Sequence, residues 1–290
     1  AVVGVYNAPN AASIAYYSLF SMQHRGQEAT GIASSNGEKI TAIKDHGLVT
    51  DVFCDETLKK LKGFSAVGHN RYATAGEDSL SDAQPIFARY DLGEIAIVHN
   101  GNLTNAEKIR NELIKEGAIF QSHMDTENLI HLIAKSKHEN LAERIKEAVL
   151  KVEGACCFII LSRKKMFVIR DRNGFRPLSL GKIKNNDGSV GYIVASETCA
   201  FDLVGAEYIR DVEAGEMLIL SEKGIESHHI MPKNPYPCVF EYVYFARPDS
   251  HVFGRLVYNI RKAMGVELAK ENPIDADLVI PVPDSGVAAA

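Results

Sequence analysis

The sequence predicts an α+β fold, two mainly antiparallel sheets with helices packed on their faces, followed by the opening of a second α/β unit. Three observations carry this. Apolar β-type runs come first, helical periodicities occupy residues 104–152, and a second series of β-type runs fills 155–220. That order of strands, helices and strands differs from the regular alternation of a parallel α/β domain. Next, Met231-Pro-Lys-Asn-Pro-Tyr-Pro-Cys238 places three prolines close together, the mark of a linker. Finally, Ala276-Asp-Leu-Val-Ile-Pro-Val-Pro-Asp-Ser285 reads as a buried strand ending in a polar pair, which in an α/β unit feeds a helix and further strands.

The elements follow in order. Residues 1–6 form an apolar strand that starts at the first residue; most termini fray, so a buried one suggests that the α-amino group has chemical work. A helix over 10–25 carries Ile14, Tyr17, Phe20 and His24 at helical spacing and stops at Gly26. Short strands follow at 30–35 and 39–44, and a longer one over 65–76. Ile95-Ala-Ile-Val98 is a buried strand that turns abruptly polar at His99-Asn-Gly-Asn102. Thr104 and Glu107 have the spacing of a capping box, opening a helix to about Glu116. A second helix starts near Asp125 with Leu129, Ile130, Leu132 and Ile133 inward, and a third covers 141–152 with Leu141, Ile145 and Val149 inward. Strands are predicted at 155–161, 166–169, 178–181, 192–195 and 217–220, with Cys156 and Cys157 in the core. Past the linker, 255–270 reads as a helix.

Composition narrows the function classes. The chain has 290 residues, of which 46% are hydrophobic and 24% charged, an ordinary globular balance. No apolar run approaches the roughly 20 residues of a membrane span, and no basic and apolar leader opens the chain, so the expected compartment is the cytoplasm. Cys54, Cys156, Cys157, Cys199 and Cys238 are odd in number and lack a CxxC pair, which argues against a disulfide framework or a zinc site. A net charge of −5 disfavours a broad nucleic-acid surface.

Five residues are candidates for chemistry. An Asn100 amide beside a Gly101 N–H can supply two donors to the oxygen that becomes negative in acyl transfer; alone, the dipeptide is more often a hairpin turn. Arg71 can grip a carboxylate with two parallel hydrogen bonds, and Thr74 can add a hydroxyl nearby. Asp125 is a helix N-cap, a carboxylate held for a substrate ammonium, or both. His24 reads as a satisfied helix-end histidine.

Taken together, the motifs resemble the amidophosphoribosyltransferases, the glutamine phosphoribosylpyrophosphate amidotransferases of purine synthesis. They are Gln23-His-Arg-Gly-Gln-Glu28, His69-Asn-Arg-Tyr72, Thr74-Ala-Gly76, His99-Asn-Gly-Asn-Leu103, Met124-Asp-Thr-Glu127, Asp171-Arg-Asn-Gly-Phe-Arg-Pro177, Ala195-Ser-Glu-Thr198, Phe240-Glu-Tyr-Val-Tyr-Phe-Ala-Arg-Pro-Asp249 and Pro281-Val-Pro-Asp-Ser285. The earlier ones are common to class II glutamine amidotransferases; the last two narrow the match. The resemblance implies a four-layer αββα sandwich, the N-terminal-nucleophile hydrolase fold, over 1–230. A linker over 231–254 and the beginning of an α/β type I phosphoribosyltransferase domain over 255–290 would follow. It also implies an oxyanion hole at Asn100 and Gly101, glutamine bound by Arg71, Thr74 and Asp125, and magnesium associated with Ser285. In a subset of members a [4Fe–4S] cluster would take Cys238 as one ligand. Implied partners are glutamine, phosphoribosylpyrophosphate and purine nucleotide feedback inhibitors, in a homotetramer.

One departure matters. The family opens with a catalytic cysteine and a glycine at the fifth position, whereas Ala1-Val-Val-Gly4 reaches the glycine one step early, so a nucleophilic cysteine is expected immediately before Ala1. A terminal cysteine's own amine, with a reference pKa of roughly 8, can serve as base for its thiol. Two alternatives stay open: another class II amidotransferase of the glucosamine-phosphate synthase kind, or a nucleophile-less glutamine-binding regulatory module.

Overall fold

Continuous apolar runs such as Ala1-Val-Val-Gly-Val5 and Cys156-Cys-Phe-Ile-Ile-Leu161 put apolar side chains on both faces of a strand, so each sheet needs a covering layer on each side. The computed structural model, which describes residues 1–72 and 79–290, has those layers. The strands of its two large sheets are β1 (Val2–Tyr6), β2 (Ala29–Ser35), β3 (Ile40–His46), β4 (Ser65–Arg71), β5 (Ile86–Tyr90), β6 (Gly93–Leu103), β7 (Gly154–Ser162), β8 (Met166–Arg170), β9 (Ser179–Lys184), β10 (Val190–Ala195), β11 (Glu207–Asp211), β12 (Glu216–Ser221) and β13 (Gly224–His229). A seven-stranded sheet has the order β11-β9-β10-β1-β4-β2-β3 and a six-stranded sheet the order β13-β12-β8-β7-β6-β5. Every pairing in both is antiparallel.

The helices are α1 (Ala11–Ser21), α2 (Val49–Val52), α3 (Asp55–Lys60), α4 (Ala106–Lys115), α5 (Thr126–Lys135), α6 (Leu141–Val149), α7 (Cys199–Val204) and α8 (Val257–Glu271). Strand periodicity sorts the side chains into three cores. Val3 and Val5 of β1 pack with Leu19 of α1 and Phe201 of α7. Val2 and Tyr6, on the other face, meet Ala96, Val98, Ile159 and Leu161 between the sheets. Ile95, Ile97, Phe158 and Ile160 point the opposite way, onto Leu129, Ile133 and Ile145 of α5 and α6. The result is a four-layer αββα sandwich, as the resemblance implies. Each fully buried Leu, Ile or Phe in these cores contributes about 1.5–3 kcal/mol over its exposed state. A Cβ at Gly4 would lie 2.8 Å from Met166 Sδ and 2.9 Å from Ile159, so the sheets could not approach this closely with a larger residue there.

Several expectations are corrected. On α1 the buried face is Ala11, Ala12, Ala15, Ser18 and Leu19, while Tyr17 and Phe20 are about half exposed. Small residues win that face because the helix lies close on the sheet, with Leu19 against Gly68. No side-chain cap from Thr104 opens α4, whose N-cap is Asn105; the Asn105 amide instead spans the Lys151 carbonyl and the Glu153 N–H, each at 2.9 Å. Asn100-Gly101 is not a turn, since β6 continues through it to Leu103, pairing Asn100 with Cys157 and Gly101 with Cys156. Residues 276–285 form no strand, and Leu278, Val279, Ile280 and Val282 are exposed. A β-strand needs a ladder partner for its backbone groups, and no strand among the described residues pairs with this stretch. Strands β5, β11 and β13 went unpredicted, because charged or polar residues interrupt their apolar pattern.

The proline-rich stretch lies against the sandwich. Its Asn234, Tyr236 and Cys238 N–H groups donate to the carbonyls of Arg172, Asn173 and Phe175 at 2.8, 2.7 and 3.2 Å. A π-helical turn, Glu241–Phe245, follows and buries Glu241 completely.

Candidate active site

Antiparallel pairing brings the beginning of β1 beside the end of β4. Ala1 exchanges both backbone hydrogen bonds with Asn70, its nitrogen donating at 2.8 Å and its carbonyl accepting at 3.1 Å. Ala1 therefore already behaves as a ladder residue, and its nitrogen lies in the surroundings of a neutral peptide N–H. Burial, helped by Arg25, would pull an amine there down to about 4.

In the facing sheet, β6 runs past its apolar part and delivers Asn100 and Gly101 to the same end of the sandwich. Ala1, Arg71, Asn100 and Gly101 line one cavity of about 720 Å³. Gly101 is required by close approach: a Cβ would fall 2.0 Å from the Ala155 carbonyl oxygen and 2.8 Å from His99 Nε2. Asn100 donates through Nδ2 to Ser196 Oγ at 3.4 Å, and that same hydroxyl oxygen accepts from the Val2 N–H at 3.0 Å. Ser196 thus ties the candidate donor to the start of β1.

Arg71, the last residue of β4, is buried, with its guanidinium 3.9 Å from the fully buried Asp82 carboxylate. Thr74 lies outside the described residues. Asp125 is not a side-chain N-cap; it reaches back to β6, accepting from the Leu103 N–H at 2.9 Å and sitting 3.2 Å from His99 Nδ1. Burial opposes its charge, but His99, the Leu103 N–H and the Thr126 hydroxyl outweigh it and hold the pKa near 2. His99 stacks on Phe158 with ring centroids 4.4 Å apart. Asp125 is therefore charged at neutral pH and bonded to β6 on either side of Asn100 and Gly101. His69, also in the cavity wall, is kept neutral, chiefly by burial.

Behind these groups lies a buried ionic cluster to which the sequence reading assigned no role. Arg25 Nη1 is 2.6 Å from Glu197 and 2.8 Å from Glu241, its Nη2 is 2.9 Å from Glu241, and Arg176 reaches Glu241 at 2.9 Å. His24 is satisfied, as expected for a helix-end histidine, by Glu197 at 2.9 Å. The available signal was Ala195-Ser-Glu-Thr198, a strand end that turns polar just as Val98-His-Asn-Gly101 does.

The three buried thiols are unsuited to attack. Burial pushes Cys156 well up, Cys157 up to about 12 and Cys199 up to about 11. Cys156 and Cys157 are core residues, as predicted. Cys238 is half buried in the proline-rich stretch, and among the described residues no group of three His, Cys, Asp or Glu side chains could hold a metal. Ser285 and Asp284 line the same cavity as Asn100, as do Tyr244, Phe245, Ala246 and Arg247.

Comparison with known proteins places this geometry. A family profile described as "Glutamine amidotransferase domain" matches residues 69–202. An amidophosphoribosyltransferase of Bacillus subtilis is 46% identical over the whole chain, which spans 60% of that relative; one of Rhizobium etli is also 46% identical over the whole chain, which spans 59% of it. The chain therefore covers about three-fifths of these curated relatives. Among solved structures, the B. subtilis glutamine phosphoribosylpyrophosphate amidotransferase complexed with ADP and GMP superposes with a TM-score of 0.94 at 46% identity, covering all of this chain and 62% of the other. The match runs from the strand bearing Ala1 to the stretch bearing Ser285, so the chain is similar over its whole length to amidophosphoribosyltransferases and over residues 69–202 to a glutamine amidotransferase domain.

Proposed function

We propose that the protein performs glutamine-dependent amidophosphoribosyl transfer, the first committed step of purine biosynthesis, using the cavity between β1, β4 and β6 as its glutamine site. The observation that carries this reading is the convergence of Ala1, Arg71, Asn100 and Gly101 on one cavity. A cysteine joined to the Ala1 nitrogen would extend β1 by one ladder position, into that space. Its thiolate attacks the glutamine amide carbon, the tetrahedral oxyanion is held by Asn100 Nδ2 and the Gly101 N–H, and ammonia leaves as the thioester forms. Water then releases glutamate. In this reading Arg71 holds the substrate carboxylate, Asp125, ionised at neutral pH, attracts the substrate ammonium, and Thr74 is assigned to glutamine binding by the resemblance alone.

The released ammonia would displace pyrophosphate from C1 of phosphoribosylpyrophosphate, giving 5-phosphoribosylamine. In this reading residues 1–230 are the glutaminase domain, 231–254 the linker and 255–290 the start of the phosphoribosyltransferase domain. Ser285 and Asp284 offer hard oxygen donors suited to magnesium, which when bound with a diphosphate would neutralise its charge. Cys238 offers a single thiolate, so the described residues do not make an iron–sulfur site and no step is assigned to one. Purine nucleotides as feedback inhibitors are supported by the ADP and GMP named with the B. subtilis structure. A cytoplasmic homotetramer belongs to the same reading, and among the described residues no helix is long and apolar enough to cross a membrane.

The test is Asn100→Ala in full-length protein carrying the cysteine before Ala1. Loss of one preorganised donor is expected to lower glutaminase kcat by about 10²- to 10³-fold with a far smaller change in glutamine affinity. A near-normal kcat in folded variant protein would remove Asn100 from the mechanism.

A further inference from the structure

Ser196, Glu197 and Thr198 are three consecutive residues whose side chains reach in different directions. Ser196 faces the catalytic floor, where its hydroxyl oxygen accepts from the Val2 N–H and the Asn100 amide. Thr198 reaches the segment after the π-helical turn, where its hydroxyl oxygen accepts from the His251 N–H at 2.8 Å. Glu197, fully buried between them, serves both sides. Its Oε1 takes His24 at 2.9 Å and Arg25 at 2.6 Å, both lining the cavity. Its Oε2 accepts from the Arg247 N–H at 2.9 Å and the Ser250 hydroxyl at 2.7 Å.

The wall so attached is functional space in its own right. Tyr244, Phe245, Ala246 and Arg247 line the same cavity as Asn100 on the one hand and Ser285 on the other. Arg25 adds a second tie, since the guanidinium bound to Glu197 also grips Glu241 at the start of the π-helical turn. A carboxylate with this many donors has a fixed position, and so therefore do the groups that donate to it.

We propose that Glu197 is a positioning residue that locks the wall over residues 244–250 to the floor carrying Asn100, so that ammonia released at the floor is used across the wall and not lost to solvent. This rests on the amidophosphoribosyl-transfer reading. Glu197 touches neither substrate; it acts through Arg247, Ser250, His24 and Arg25.

The experiment compares full-length wild type with Glu197→Gln and with Ser250→Ala, which removes only the wall-side hydroxyl. Three quantities are read in each: glutamate formed per pyrophosphate released with glutamine as donor, kcat with free ammonia as donor, and KM for glutamine. Wild type is expected to form about one glutamate per pyrophosphate. In Glu197→Gln that ratio is expected to rise severalfold while ammonia-dependent kcat stays within about twofold, and Ser250→Ala is expected to shift the ratio the same way to a smaller degree. A ratio that stays at one in both variants, or in Ser250→Ala alone should Glu197→Gln fail to fold, overturns the proposal. A wild type with no glutamine-dependent pyrophosphate release would instead overturn the reading beneath it.

Discussion

Lysine and arginine carry the same charge, but only the planar guanidinium can hold a carboxylate with two parallel hydrogen bonds. Arg71 ends β4 with its side chain buried at the cavity, so the proposed glutamine contact depends on that fork. Arg71→Lys is expected to weaken glutamine binding by about 1.5–3 kcal/mol, with the thermal transition little moved. Calorimetric titration of glutamine measures it, and unchanged affinity would detach Arg71 from the substrate carboxylate. At this scale the sequence was informative wherever a polar residue followed an apolar strand, because only a few side chains there can face a site. It read Asp125 as a helix cap, a carboxylate for a substrate ammonium, or both; the capping role is absent, and the carboxylate is anchored by Leu103 and His99. Local spacing places Asp125 at a helix start; which N–H groups come near it depends on β6, a separate element.

The strand β6 shows the same limit for an element. Its first part is legible because Ile95, Ala96, Ile97 and Val98 are buried on both faces, while its second part imitates a turn, because Asn-Gly is the favoured hairpin dipeptide. Pairing with β7 overrides that preference: Gly101 lies so close to Ala155 that an added methyl group would sit 2.0 Å from a backbone carbonyl, which cannot swing aside as a side chain would. Gly101→Ala is therefore expected to destabilise the fold by about 1–3 kcal/mol and to lower glutamine hydrolysis at least as far as Asn100→Ala, since both donors sit on the displaced segment. The urea midpoint and kcat measured on the same preparation test this. A variant unchanged in both would mean that the β6–β7 pairing is looser than its register indicates.

Across the whole molecule, the acidic residues that fix loops and helices to the sandwich set its response to acid. Glu127 accepts from the Gln121 and Ser122 N–H groups and the Ser122 hydroxyl at 2.6–2.8 Å; burial raises its pKa, but these donors and His131 bring it down to about 2, close to the value for Asp125. Folded pKa values below the unfolded ones near 4 stabilise the native state above that range, and the stabilisation is lost as pH falls through the folded values. Each such shift corresponds to on the order of 2–3 kcal/mol. Tm is expected to be steady from pH 8 to 5 and to drop between about pH 4.5 and 2, with Glu127→Gln less stable at pH 7 and shallower in that drop. A Tm that held or rose below pH 4.5 would contradict the assignment. The sequence by itself determined the buried strands, the order of strands and helices, the polar strand ends that offered Asn100 and Arg71, and the apolar strand start at Ala1, because side-chain period and burial are written in local composition. Only the tertiary structure decided that these ends share one cavity, that Asn100-Gly101 is strand and not turn, and that Glu197 joins floor to wall. Each of those depends on antiparallel pairing or ionic contacts between residues up to 216 positions apart, a separation across which no local pattern carries information.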